Sequence, residues 1–151
     1  MGIETEIKFE VSPGDLQKLA SSRSLRPSDG QIAEHRHLVS TYFDTPDHLL
    51  RRNGISLRVR QVGKKRIQTI KTAANGVTVA RSEWEKRIDG NAPDLRAARG
   101  TPLQRLLSGK RKRDLDAVFS THVHRTLVPL RPGQSRIELA LDEGHIRAGL
   151  Y

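Results

Sequence analysis

The 151-residue chain has room for one domain, and 27 Lys and Arg against 17 Asp and Glu give it a formal charge of +10. The absence of cysteine excludes disulfides, thiolate metal sites and cysteine nucleophiles. No run approaches the roughly 20 apolar residues of a membrane span, and Met1 to Glu6 shows no basic-then-apolar leader, so a soluble cytoplasmic domain with an anionic partner is expected.

Strand signals dominate the chain. Ile3 to Val11 alternates apolar and polar residues up to Ser12-Pro13-Gly14, where Ser12 can cap and Pro13 can start a helix over Asp15 to Ala20. Leu38 to Phe43 reads as a second strand. Asp44-Thr45-Pro46 then opens a short helix that closes at Asn53-Gly54. Ile55 to Val62 and Arg66 to Thr72 form a hairpin through Gly63-Lys64, and Thr78 to Ile88 follows the Asn75-Gly76 turn. Thr101-Pro102 starts a helix with Leu103, Leu106 and Leu107 at helical spacing. Phe119 to Val128, Ser135 to Asp142 and Gly144 to Leu150 complete the strands of an α+β domain rich in antiparallel sheet.

The charge is distributed in an informative way. A nucleic-acid reader needs aromatics interleaved with cations, and Trp84, two Tyr and three Phe are not so placed. The run Lys110 to Arg113 reads as a solvated face, and no Walker-type glycine loop is present. Within strands, residues two apart share a face. Glu4, Glu6 and Lys8 therefore oppose Ile3, Ile7 and Phe9, and Arg58 and Arg60 oppose Leu57 and Val59. Thr69 pairs with Lys71 in this way, Arg81 with Glu83, Glu85 and Arg87, and Arg136 with Glu138 and Asp142. Two readings fit. One is a half-exposed sheet with its charges in water. The other is a closed sheet whose lumen holds carboxylates for Mg²⁺ or Mn²⁺ and cations for phosphate.

Glu4-Thr5-Glu6-Ile7-Lys8 resembles the ExExK signature of the CYTH domain, the triphosphate tunnel metalloenzyme superfamily. Collinear matches follow in Tyr42 to Asp47, Leu50 to Gly54, Leu57 to Arg60, Thr69 to Lys71, Arg81 to Glu85, Phe119 to Thr121 with Arg125, and Ile137 to Gly144. The resemblance implies a single domain over residues 1–151 built as an eight-stranded antiparallel β-barrel with a few flanking helices. It implies a divalent metal, Mg²⁺ or Mn²⁺, on Glu4, Glu6 and Asp142, and phosphate contacts from Lys8, Arg58, Arg60, Lys71 and Arg125, with Arg81 a weaker candidate. Lys8 and Glu138 are the catalytic candidates, Glu138 through orienting metal or water, and Glu83 and Glu85 form a second acidic tier.

The family pattern continues beyond the Asp142-Glu143-Gly144 turn to a last strand with another acidic pair, whereas this sequence stops at Tyr151. A barrel missing its last strand, weak catalysis and an open edge that could pair with a second copy as a homodimer are therefore expected. His122 and His124, like His35 and His37, have metal-ligand spacing. The parity of Arg125 turns His122 and His124 away from the tunnel, and Trp84 is assigned to outer packing. The resemblance is strongest to bacterial domains that hydrolyse inorganic triphosphate, often ahead of a CHAD module. Class IV adenylyl cyclase, thiamine triphosphatase and a non-catalytic polyphosphate-binding module are the alternatives. The partner implied is a small-molecule triphosphate or polyphosphate, without nucleic acid or membrane.

Overall fold

A computed structural model describes residues 7–28, 30–73, 82–108 and 114–149. Helix α1 spans Pro13–Ser21, followed by a 3-10 turn at Arg23–Leu25. Strand β1 is Glu34–Asp44, α2 Leu49–Arg52, β2 Ile55–Val62, β3 Lys65–Thr72, β4 Glu83–Ile88, α3 Pro102–Leu106, β5 Asp116–Leu130 and β6 Ile137–Ala148. The six strands are hydrogen-bonded in the order β4-β3-β2-β1-β5-β6. No described helix is long and apolar enough to cross a membrane.

The antiparallel α+β character is as expected, and the eight-stranded barrel is matched in part, by six strands among the described residues. Two differences have physical reasons. Residues 7–12 take no strand conformation, and Ile7 and Phe9 are 72% and 83% exposed, so no apolar burial favours a strand there. Glycine at position 144 suggested a turn, but β6 runs unbroken through it. A Cβ on Gly144 would sit 2.1 Å from the carbonyl oxygen of His122. The glycine thus permits a close backbone approach rather than a reversal of direction.

The chain divides into two compact units. The first holds the described residues within Met1–His35 and Arg125–Glu143. Its α1 starts as its sequence dictates: the Ser12 side chain accepts from the Asp15 N–H, and Pro13 needs no hydrogen-bond partner. Leu16 and Leu19 nevertheless stay unburied. The Ser28 N–H donates to the Pro129 carbonyl, and His35 Nδ1 is 3.1 Å from Thr126 Oγ1.

The second unit holds the described residues within Arg36–His124 and Gly144–Tyr151. Strands β2 and β3 meet at a two-residue turn with Gly63 at φ 57°. Helix α2 is fastened by Asp44, whose buried carboxylate accepts from the N–H groups of Thr45, Leu50 and Arg51 at 2.7, 2.8 and 3.0 Å. A short helix end with orphan donors needs such an acceptor. Leu49 and Leu50 of α2, Leu103 of α3 and Leu107 beyond it cover one face of the sheet, where Ile55, Leu57 and Ile70 lie, with Phe43 and Trp84 packed alongside. Trp84 is outer packing, as its parity indicated. The Gln68 side chain, 2% exposed, accepts from the Asp94 N–H and donates to the Asp94 carbonyl, anchoring the loop after β4.

Candidate functional site

Register builds the site in the second unit. Residues directly paired across antiparallel strands share a face. Tyr42, Arg58, Thr69 and Glu85 therefore form one row across β1 to β4. Ser40, Arg60, Ile67 and Arg87 form the next row, and Ser56, Lys71 and Glu83 a third. These rows lie opposite the apolar face that carries the core. The opposition of charged and apolar stripes read from the sequence thus holds in this unit.

The charged face is not a plain solvated one. Ser40 and Thr69 on it are each 1% exposed, and the Arg58 side chain only 13%. Lys71 Nζ bonds Glu83 at 2.8 Å, and Thr69 Oγ1 donates to Glu85 at 3.0 Å. Arg58 Nη2 stands 3.8 Å from a carboxylate oxygen of each of Glu83 and Glu85. Arg60 Nε donates to Ser40 Oγ at 2.9 Å. Partial burial pushes the Glu83 carboxyl up, but the Lys71 hydrogen bond, the Lys71 and Arg58 charges and Glu85 outweigh it and hold its pKa below the usual value. Among the described residues, Arg58 Nε is buried and finds no hydrogen-bond partner.

That orphaned donor fits an anionic oxygen. A buried guanidinium N–H without an acceptor is costly, and a phosphate oxygen supplies the missing acceptor in the planar geometry arginine presents. The ring of Tyr42 stacks on Phe119 at 4.4 Å, which marks the face that Phe119 occupies on β5.

In the first unit, Arg125 makes a two-point contact with Asp142, Nε and Nη2 each donating at 2.7 Å. Glu138 lies on the same strand as Asp142 and is exposed. Lys8 is exposed in the irregular segment before α1. Glu4, Glu6 and Arg81 lie outside the described residues. The structure thus groups Arg58, Lys71, Glu83 and Glu85 in one unit and pairs Arg125 with Asp142 in the other.

Among the described residues, no group of three or more His, Asp or Glu is arranged to hold a metal ion. The donor chemistry still suits one: Asp142 and Glu138 are carboxylates, the ligand type Mg²⁺ and Mn²⁺ prefer. Sequence reasoning missed Ser40 and Thr69 as parts of the site. Thr69 carried a usable signal, since it shares parity with Lys71. Ser40 carried none beyond being a small polar residue inside a strand.

Residues 2–149 match the sequence profile of the CYTH domain family. An inorganic triphosphatase of Haemophilus influenzae is 32% identical over 154 residues, covering 98% of this chain and 42% of that protein. The chain thus spans about two-fifths of its relative's length. A Bacillus halodurans protein provisionally named adenylate cyclase matches with a TM-score of 0.62 at 17% identity, over 89% of this chain and 69% of that one. A Hippeastrum protein, provisionally an adenylyl cyclase and described as having a dominant triphosphatase activity, matches at 0.58, also with 17% identity and the same coverages.

Proposed function

The chain belongs to the CYTH domain family, and from that premise we propose that it acts in metal-dependent hydrolysis of inorganic triphosphate. The observation that carries the reading is the buried Arg58, its Nε without an acceptor among the described residues, set beside Lys71 on a face tied together by Glu83 and Glu85. The similarity to an inorganic triphosphatase across nearly the whole chain supports the choice of substrate.

Arg58, Arg60, Lys71 and Arg125 take phosphate oxygens in this proposal, and Lys8 and Arg81 join them from the positions that match the family pattern. Glu4, Glu6 and Asp142 hold the divalent cation, Mg²⁺ or Mn²⁺, and Glu138 orients the attacking water. When bound, the cation neutralises phosphate charge and lowers the pKa of water. The side chains orient the substrate and stabilise the charge that develops as water adds to the terminal phosphorus and the anhydride bond breaks. Glu83 and Glu85 hold Lys71 and Arg58 in place, and are positioning residues rather than ligands of the substrate.

The test is phosphate release from tripolyphosphate by this chain, with and without Mg²⁺ or Mn²⁺, alongside ATP as a second substrate. Metal-dependent release of orthophosphate and pyrophosphate from tripolyphosphate, with no cyclic AMP from ATP, is the expected result. Cyclic AMP formation would establish the cyclase instead. Metal-independent, salt-sensitive binding of tripolyphosphate without turnover would establish an anion-binding module.

A further inference from the structure

A second cluster of titratable groups lies outside this site, on β1, β5 and β6 of the second unit. His37 of β1 stacks on His124 of β5 with ring centroids 4.6 Å apart and planes 18° from parallel. His122 of β5 stacks on His145 of β6 at 5.0 Å and 3°. His37 and His122 connect the two stacks at 6.3 Å. Four of the six histidines in the chain therefore form one row across three neighbouring strands. Gly144 lets β6 pass the His122 backbone closely enough to bring His145 onto the His122 ring.

Two of the three ring contacts are stacked and the third is tilted, an arrangement of ring faces rather than of nitrogens converging on a metal. No metal-holding group of three exists among the described residues. The groups facing His122 are His37 from β1, Ser120 from its own strand, and His145 and Arg147 from β6, while His124 faces His37. Glu143 has the parity of His145 and Arg147 along β6 and is the acidic side chain of that stripe. Histidine and arginine thus outnumber carboxylate around the row, so each added proton meets positive neighbours.

We propose that His37, His122, His124 and His145 form a proton-sensitive fastener that holds β1, β5 and β6 together while the rings are neutral and loosens as they charge. The environment acts in the same direction on His122, whose pKa is held below its usual value by partial burial first and then by His145, Arg147 and His37. The sign follows from linkage. The unfolded chain takes up protons at ordinary imidazole values of about 6.5, and the folded chain binds the proton of His122 less readily. Stability is complete above that pH and falls as pH drops below it.

The experiment is urea unfolding of the full chain between pH 7.5 and 5.5, a window in which ordinary carboxylates stay ionised, for the natural sequence, His122→Gln, His37→Asn and, as a control outside the row, His48→Asn. Each proton taken up preferentially by the unfolded state raises the unfolding constant by about tenfold per pH unit. The natural chain and His48→Asn are expected to show that rise, and His122→Gln and His37→Asn to lose most of it. An unchanged pH slope in both row variants overturns the proposal. Ring C–H titration of the natural chain by NMR keeps the test decisive if a variant misfolds. Broad titrations coupled across the four rings support the fastener, and four independent titrations at ordinary values overturn it. Zn²⁺ is the probe for the competing use: no change in the urea midpoint at pH 7.5 is expected, and an increase that His122→Gln abolishes would make the row a metal site instead.

Discussion

Replacing Arg58 with lysine isolates what the guanidinium does beyond carrying charge. Lysine keeps the positive charge but removes Nε, the buried donor without a partner, and the planar fork around it. The two carboxylate contacts of Arg58 stand at 3.8 Å, beyond hydrogen-bond length, so their loss leaves the fold nearly intact. A hydrogen bond to a charged phosphate oxygen contributes about 1.5–3 kcal/mol. At about 1.4 kcal/mol per decade, Arg58→Lys should raise KM for tripolyphosphate roughly tenfold to a hundredfold. The assay is initial-rate phosphate release against tripolyphosphate concentration at saturating Mg²⁺, with thermal unfolding of both proteins measured in parallel. Arg58→Met, which also loses the charge, should be weaker still. A KM within threefold of the natural chain for Arg58→Lys, with unchanged melting, would refute the role assigned to Nε.

Three further outcomes follow from individual contacts. Asp44→Ala leaves the N–H groups of Thr45, Leu50 and Arg51 without their buried acceptor. It should cost about 3 kcal/mol in urea unfolding, with Asp44→Asn losing roughly half of that. Gly144→Ala forces a methyl to 2.1 Å from a backbone oxygen. It should destabilise the chain by about 3 kcal/mol or more, because backbone rather than a flexible side chain must move. Glu83 has a folded-state pKa below its usual 4.5, so its contribution to stability is complete above that value and lost as pH falls through the lower folded one. Glu83→Gln should therefore flatten the acid limb of a stability–pH profile below pH 4.5, and an unchanged limb would remove Lys71 as its partner.

Much of this architecture was legible because period-two alternation is a direct consequence of strand geometry. Leu57, Val59 and Ile70 could only belong to a buried face, and Arg58, Arg60 and Lys71 to the other, once Ile55–Val62 and Lys65–Thr72 were recognised as a hairpin. Capping was equally local: Ser12-Pro13 and Asn53-Gly54 mark helix ends through chemistry within a few residues. What depended on distant partners was hidden. Gly144 was read as a turn because the requirement for glycine comes from the His122 carbonyl, 22 positions earlier. The Arg125–Asp142 pair and the stacking of four histidines likewise depend on which strands become neighbours. The i, i+2 histidines were visible as pairs, but their joining through His37 and His145 was not.

Under the proposed function, the internal contacts of the candidate cations within each unit set what each gives up on meeting a phosphate oxygen. Lys71 is held by Glu83 at 2.8 Å and Arg125 by two bonds to Asp142 at 2.7 Å, so each must exchange a carboxylate for phosphate. Such an exchange trades one charge-assisted bond for another and yields little net energy by itself. Arg58 differs because its carboxylates stand at 3.8 Å and, among the described residues, its Nε has no acceptor to give up. A phosphate oxygen arriving there gains a bond without breaking one of comparable strength. Under the proposed function, Arg58 is therefore the cation that gives up least on meeting a phosphate oxygen. The carboxylates that keep Lys71 and Arg125 in position before binding reduce the side-chain ordering that binding would otherwise require.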